Sequence, residues 1–283
     1  MQVIKLGEGV HRLPKITEPT HLLSTVGWNA ILEPQLNSNH AIVSTAPLRI
    51  TGFQVRNAPK CGIQVYSEGG PCPLEVENLW VHNNARHGIN TADGPIRGNN
   101  LLVEYNGTNR QYHHGIYGGK GDIWITNSIL YHNSSSQLCS CESGNNVVVD
   151  QCLLVGPWAA FITNCKTEDL LLRRNTLQGE LTLHTGNLTS PEHVISPDNI
   201  IIGNGEGQIS PSKLVDMKRR LYWPNTDIPE GAGCYDAHPC TIEYAKTLWH
   251  EGYMFAYDGW DYADNHFYHP HFPGEPIPEI LNT

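Results

Sequence analysis

Lys60, Arg86 and Lys120 are cations in an otherwise acidic chain, and each lies a few residues from groups that hydrogen-bond or carry protons. Gln64 follows Lys60, Asn90 and Asp93 follow Arg86, and His113 and Tyr117 precede Lys120. Glu142 and His184 extend the set. Removing a proton beside a carboxylate requires positive charge on that carboxylate, a base in reach of the carbon, and an acid near the leaving oxygen. Tyr117, His113, Arg86 and Lys120 are therefore the candidate catalytic residues. Lys60, Gln64, Asn90, Asp93, Glu142 and His184 are the candidate substrate-binding residues.

Other chemistries can be drawn from the same region. A hydrolase needs two carboxyl groups flanking a bond. Asp93 and Glu142, two repeats apart, would stand about 9–10 Å from each other on stacked strands, at the upper edge of inverting geometry. Cys139-Ser-Cys141 with His113, His114 and His132 offers a Cys/His set for zinc. Two inward cysteines stacked in a core explain that spacing more simply. Calcium is a possible cofactor, but the carboxylates of Asp93, Asp122 and Glu142 are scattered where calcium wants them clustered. No other cofactor is called for.

A repeat must position these residues. Short apolar runs begin at Gly52, Asn78, Asn100, Asn127, Gln151, Asn175 and Asn199, in steps of 26, 22, 27, 24, 24 and 24 residues. One strand-forming run per copy at such a period is the signature of a solenoid. A companion ladder, Cys61-Gly-Ile63, His87-Gly-Ile89 and His114-Gly-Ile116, advances by 26 and 27 residues, so each coil carries at least two strands. Period-two alternation turns Ile63, Val65, Ile89 and Ile116 inward and sets Gln64, Asn90 and Tyr117 outward in one row. Glycine before each inward Ile is expected to leave space beside that row. Asn57, Asn78, Asn83, Asn127, Asn175 and Asn199 suit the turns, because Asn tolerates left-handed backbone. With coils about 4.8 Å apart, about seven of them make a rod roughly 30–35 Å long.

The ends differ. Residues 1–47 read as one or two irregular opening coils, and residues 208–283 as a C-terminal extension packed on the rod. In it Thr241–His250 has helical spacing after a Thr cap, and Cys234 and Cys240 could close a small loop. The expected fold class is all-β, a single-domain right-handed parallel β-helix spanning 1–207.

Net charge bounds the partners. At -10 the chain lacks the basic stripe that nucleic acid requires, and no apolar run is long enough for a membrane span. The first residues lack the apolar core of a secretory signal. Cys61, Cys139, Cys152 and Cys165 read as buried small hydrophobes. Asn106-Gly-Thr108, Asn133-Ser-Ser135 and Asn187-Leu-Thr189 fit the N-glycosylation pattern, a weak pointer to secretion in a chain rich in Asn, Ser and Thr.

The Asn-bounded strands, the Leu48-Arg-Ile-Thr-Gly-Phe-Gln-Val55 run and the Gly-Ile copies resemble the right-handed parallel β-helix superfamily typified by pectate lyases. The Leu221-Tyr-Trp223 run followed by Thr241–His250 resembles the tail of that superfamily. The resemblance implies a polysaccharide laid across one parallel sheet, an acidic glycan such as a uronate as substrate, an extracellular location, and a monomer or a tailspike-like trimer. Lys60, Arg86 and Asn90 would then neutralise the uronate carboxylate while Tyr117, His113 or Lys120 moves protons. Asn90-Thr-Ala-Asp-Gly94 is similar to the Asn-Thr-Asp-Gly element of polygalacturonase-like hydrolases. Ala92 interrupts it, and that family's paired aspartates and Gly-His-Gly have no counterpart. The superfamily also holds non-catalytic rods that bind glycans or proteins, so fold alone leaves the activity open.

Overall fold

Runs such as Leu48-Arg-Ile-Thr51 and Ile63-Gln-Val65 alternate apolar and polar residues, and their burial alternates with them. Strands that bury one side chain in two need neighbours on a common interior face. The chain supplies these by winding. The structure, a computed structural model, describes residues 1–67, 69–140, 145–163, 167–173, 175–183 and 200–202. It is an all-β parallel solenoid of about six turns. Outside the described residues lie the extension 208–283, with its expected helix, aromatic run and Cys234–Cys240 loop, and also Cys141, Cys165, Asn187, Asn199, Glu142 and His184.

Each full coil contributes to three parallel sheets, where the sequence had revealed at least two strands per coil. The first sheet holds Gln2–Leu6, Thr20–Ser24, Leu48–Thr51, residues 74–77 and 96–99, Ile123–Thr126, Asn145–Asp150 and Thr167–Arg173. The second holds the Asn-bounded runs, from Gly9–His11 and Ala30–Leu32 through Gln54–Arg56, residues 79–82 and 101–104, and Ile129–Tyr131 to Ile200–Ile202. The third holds the Gly-Ile strands Ile63–Val65, Ile89–Thr91 and Ile116–Gly118, extended by Ile42–Ser44 and Ser136–Ser140. Residues 1–47 already follow this order, so the opening coils are regular.

The corners explain the Asn spacing. Gly52, Asn78, Asn100, Asn127 and Gln151 have φ of 85°, 54°, 55°, 49° and 53° where the chain passes from the first sheet to the second. Asn57, Asn83, Tyr105 and His132 have φ of 60°, 53°, 50° and 47° where it leaves the second. Asn adopts this left-handed geometry more readily than other non-glycine residues, so its recurrence at these corners follows. Asn175 differs: it is buried, its Oδ1 accepts the Cys152 N–H at 2.9 Å and its Nδ2 donates to the Val149 carbonyl at 2.7 Å.

Aliphatic columns fill the bore. Leu32, Val55, Val81, Val103, Leu130, Leu154 and Leu177 stack in register on the second sheet, and Ile42, Ile63, Ile89, Ile116 and Leu138 on the third. All of them are buried.

A polar column runs beside them. Asn84 Nδ2 donates to Asn106 Oδ1 at 2.8 Å, Asn106 Nδ2 to Asn133 Oδ1 at 2.9 Å, and Asn133 Nδ2 to Gln137 Oε1 at 2.8 Å. Each of these amides also donates to a carbonyl of the second sheet, at Val55, Val81 or Val103. Buried amides persist only when so paired. Asn106 and Asn133 are wholly buried, so neither glycosylation triplet can carry a glycan in the folded chain.

The glycines of the Gly-Ile strands serve this column. A Cβ on Gly88 would come within 2.8 Å of the Gly115 carbonyl oxygen and 2.9 Å of Asn106 Nδ2, with similar conflicts at Gly62 and Gly115. The space expected beside the row is therefore filled by the next coil and the amide ladder.

Candidate functional site

The outer faces of the sheets differ in access. On the second sheet the outward rows are Gln54, Trp80, Leu102 and Ile129, and Arg56, His82, Glu104 and Tyr131; most of these are buried, and Arg56, Trp80 and Glu104 are partly exposed. The first and third sheets keep partly exposed outer rows.

On the third sheet Val43, Gln64, Asn90, Tyr117 and Cys139 lie in one register row. The expected outward row of Gln64, Asn90 and Tyr117 is thus present. Asn90 Nδ2 donates to Gln64 Oε1 at 3.0 Å, and Asn90 Oδ1 is buried without a hydrogen-bond partner. Cys139 shares the register of Tyr117, so Leu138, not Cys139, is the inward residue; the cysteine is buried nonetheless.

A second column, which the sequence reading did not single out as a site, comprises His40, Cys61, His87, His114 and Ser136, two residues upstream of the matched Ile42, Ile63, Ile89, Ile116 and Leu138. The first four members each accept a backbone N–H from the next coil. Cys61 N–H donates to His40 Nδ1 at 3.2 Å, His87 N–H to the Cys61 thiol, His114 N–H to His87 Nδ1 at 3.1 Å, and Ser136 N–H to His114 Nδ1 at 3.3 Å. His87 stacks on His114 with ring centroids 5.4 Å apart, and the Tyr117 ring lies 4.8 Å from His87 and 5.6 Å from His114. The signal was in plain view, since Cys61, His87 and His114 each precede a Gly-Ile pair.

Burial sets the charge of this column. It pushes His87 down to about 2 and His114 down to about 4, with neighbouring His and Arg charges adding to the effect. His40 is lowered by burial and by Lys60. All three are neutral at pH 7, and because Nδ1 accepts, the remaining proton sits on Nε2. Burial also raises the Cys61 thiol, so it stays protonated.

His113 is placed differently. Its Nδ1 accepts the Thr108 and Asn109 N–H groups, both at 3.2 Å, and its ring bonds the Ala85 carbonyl, so both nitrogens brace the 105–113 loop. Arg86 and Lys60 are on adjacent coils, the Arg86 N–H donating to the Lys60 carbonyl at 2.9 Å. Neither cation has a carboxylate partner among the described residues. The Arg86 charge is felt at His40, Cys61, His87 and His113, which places it beside the column.

Lys120 and Asp93 stand apart at the corner leading to the first sheet. Lys120 Nζ is 3.8 Å from Asp93 Oδ1, and both line a cavity of about 490 Å³ with Ser67, Gly70 and Gly94. The structure therefore gathers Lys60, Gln64, Arg86, Asn90 and Tyr117 on one face, with His87 and His114 beneath Tyr117. It sets His113 in a loop and pairs Lys120 with Asp93. Among the described residues no three His, Cys, Asp or Glu side chains gather closely enough to hold a metal ion.

Lys60 and Arg86, without a carboxylate partner among the described residues, stand on the coils that carry Gln64 and Asn90, whose amides bond each other. No family model matches the chain, and neither a curated protein nor a solved structure matches it. The class of protein is thus defined by its fold alone, a parallel β-solenoid.

Proposed function

We propose that this solenoid is a carbohydrate-active enzyme that binds an acidic polysaccharide across its third sheet and cleaves it by β-elimination. The observation that carries the reading is the pair of unpartnered cations, Lys60 and Arg86, on adjacent coils next to the Gln64–Asn90–Tyr117 row. The resemblance of the Asn-bounded strands and Gly-Ile copies to the pectate-lyase-like superfamily also supports it.

A uronate carboxylate sits against Arg86 and Lys60, with Asn90 and Gln64 holding ring hydroxyls. Arg86 and Lys60 draw off the negative charge that develops as the carbon beside the carboxylate loses its proton. Tyr117, as the phenolate, takes that proton and, as the phenol so formed, returns it to the glycosidic oxygen as the carbon–oxygen bond breaks and a carbon–carbon double bond forms, which regenerates the phenolate. The neutral rings of His87 and His114 fix the phenol without competing for the proton. Such a substrate is met outside the cell, where the protein would act as a monomer or trimer.

Incubation with pectate, alginate and glycosaminoglycans is expected to raise the absorbance of an unsaturated uronate with at least one of them. Tyr117→Phe should abolish that signal while leaving binding and the thermal melt in place. Full activity of Tyr117→Phe would overturn the assignment. Reducing ends without the absorbance would indicate hydrolysis, and retention of the glycan without release would indicate a binding rod.

A further inference from the structure

The first sheet carries a separate outer face. His21, Arg49, Glu75, Arg97 and Trp124 stand in one register row, and Thr51, Glu77, Asn99 and Thr126 in the next. Arg49, Glu75, Glu77, Arg97, Asn99 and Trp124 line an open groove of about 380 Å³. From this face we infer a second binding site, for an uncharged oligosaccharide.

Three features select the ligand. Trp124 is 47% exposed, and the Arg97 guanidinium lies 5.8 Å from its ring centroid, which holds the indole as an apolar platform at one end of the groove. An exposed tryptophan beside a groove is the kind of residue that binds the apolar face of a ligand. The charges cancel: Arg49 and Arg97 oppose Glu75 and Glu77, with Arg49 Nη2 3.3 Å from Glu77 Oε2. A phosphate chain or polyuronate would gain nothing net from this row, in contrast to the third sheet. Finally, the polar ends are arranged for hydroxyls. Asn99 Oδ1 accepts from Thr126 Oγ1 at 3.0 Å and Asn127 Nδ2 at 2.9 Å, which orients the Asn99 NH₂ group as a donor, while Glu75 has no ion-pair partner among the described residues and accepts.

A ligand with an apolar ring face and a hydroxyl edge, repeating along the rod as the coils do about every 4.8 Å, matches all three. A peptide strand does not, because the sheet presents its face here and not a free edge. The site is independent of the third sheet, and the two can fail separately.

Isothermal titration of the full chain with cellohexaose, xylohexaose, mannohexaose and maltohexaose tests it. At least one should bind, Trp124→Ala should weaken that binding by about tenfold or more as expected for loss of an aromatic anchor, and Glu75→Ala, at an exposed position, should weaken it without altering the fold. Tyr117→Phe should leave it unchanged. No binding by any of the four, or binding untouched by both Trp124→Ala and Glu75→Ala in chains with the parent's circular dichroism, would overturn the inference. So would concentration-dependent self-association that Trp124→Ala abolishes, since the groove would then be covered by a second copy.

Discussion

Replacing Asn106 by Ala should be among the most damaging single truncations in the described coils, although no apolar contact is the main loss. Asn106 Oδ1 accepts the Asn84 backbone N–H at 3.2 Å and the Asn84 amide at 2.8 Å. Its Nδ2 is shared among the Val81 carbonyl, the Glu104 carbonyl and Asn133 Oδ1, each at 2.9 Å. Alanine leaves the Asn84 N–H buried without a partner, at about 1–3 kcal/mol, and withdraws donors from acceptors worth about 0.5–1.5 kcal/mol each. The expected loss is about 3–4 kcal/mol, which at about 2–4 °C per kcal/mol for a chain of this size class lowers the melting temperature by roughly 6–16 °C. Asn106→Asp keeps the acceptor but buries a charge with no donors left to give, so at neutral pH it should cost more than alanine and recover as the carboxyl protonates in acid. Urea melts followed by far-ultraviolet circular dichroism measure the loss, with Tyr112→Ala, 59% exposed on the adjoining loop, as the control. If Asn106→Ala melts with the control, the ladder does not hold the coils in register and the reasoning is wrong.

Two further outcomes follow from the third sheet. Gly88→Ala would press a methyl group within 2.9 Å of Val103 Cγ1 and 2.8 Å of the Gly115 carbonyl oxygen, an overpacking expected to cost about 2–3 kcal/mol in the same urea melt; an unchanged midpoint would refute the close approach. His87 and His114 bind protons in the unfolded chain near pH 6.5 but in the folded one only near 2 and 4, so the unfolded state holds more protons between these values. Stability from their neutral burial is full above about pH 6.5 and falls as pH drops towards 4, with a limiting slope of about 1.4 kcal/mol per pH unit for each ring. Thermal melts from pH 7.5 to 4.5 should show that decline, to which His82, pushed down to about 4 by burial, adds, and His87→Gln should lessen its slope by about 1.4 kcal/mol per pH unit while the His114 and His82 parts remain; a parent melt flat across the range would refute the assignment.

What the sequence disclosed and what it hid have physical reasons. The left-handed corners were legible because few residue types tolerate them: Asn57, Asn78, Asn83 and Asn127 repeat where the backbone demands it. Tyr105 and His132 take the same geometry without announcing it, since their types are unremarkable at turns. The row of Gln64, Asn90 and Tyr117 was legible from period-two alternation. The first sheet was not recognised as a third strand per coil, because strands such as Leu74–His82 run through the Asn78 corner into the second sheet, and the short alternating half Leu74-Glu-Val-Glu77 carries a weaker signal than the apolar run that follows Asn78. The groove of Arg49, Glu75, Arg97 and Trp124 was hidden with it.

The role of glycine separates what repeats for folding from what repeats for function. Gly62, Gly88 and Gly115 recur because each lies against the side-chain amide of Asn84, Asn106 or Asn133 and the carbonyl of the coil that follows. That packing fixes the backbone just upstream of Ile63, Ile89 and Ile116, where His87 and His114 accept N–H groups from the coils that follow them and thereby lose any freedom to turn. Nothing in the fold demands imidazole there, since Cys61 and Ser136 occupy equivalent steps of the same column. His40 carries a third ring in the same column, so imidazole recurs along it; the rings of His87 and His114 are the two that meet Tyr117, with Arg86, which has no carboxylate partner among the described residues, next to His87. What sets the coils around Tyr117 apart is therefore the contact of two rings with one phenol, a local feature that the repeat itself does not require.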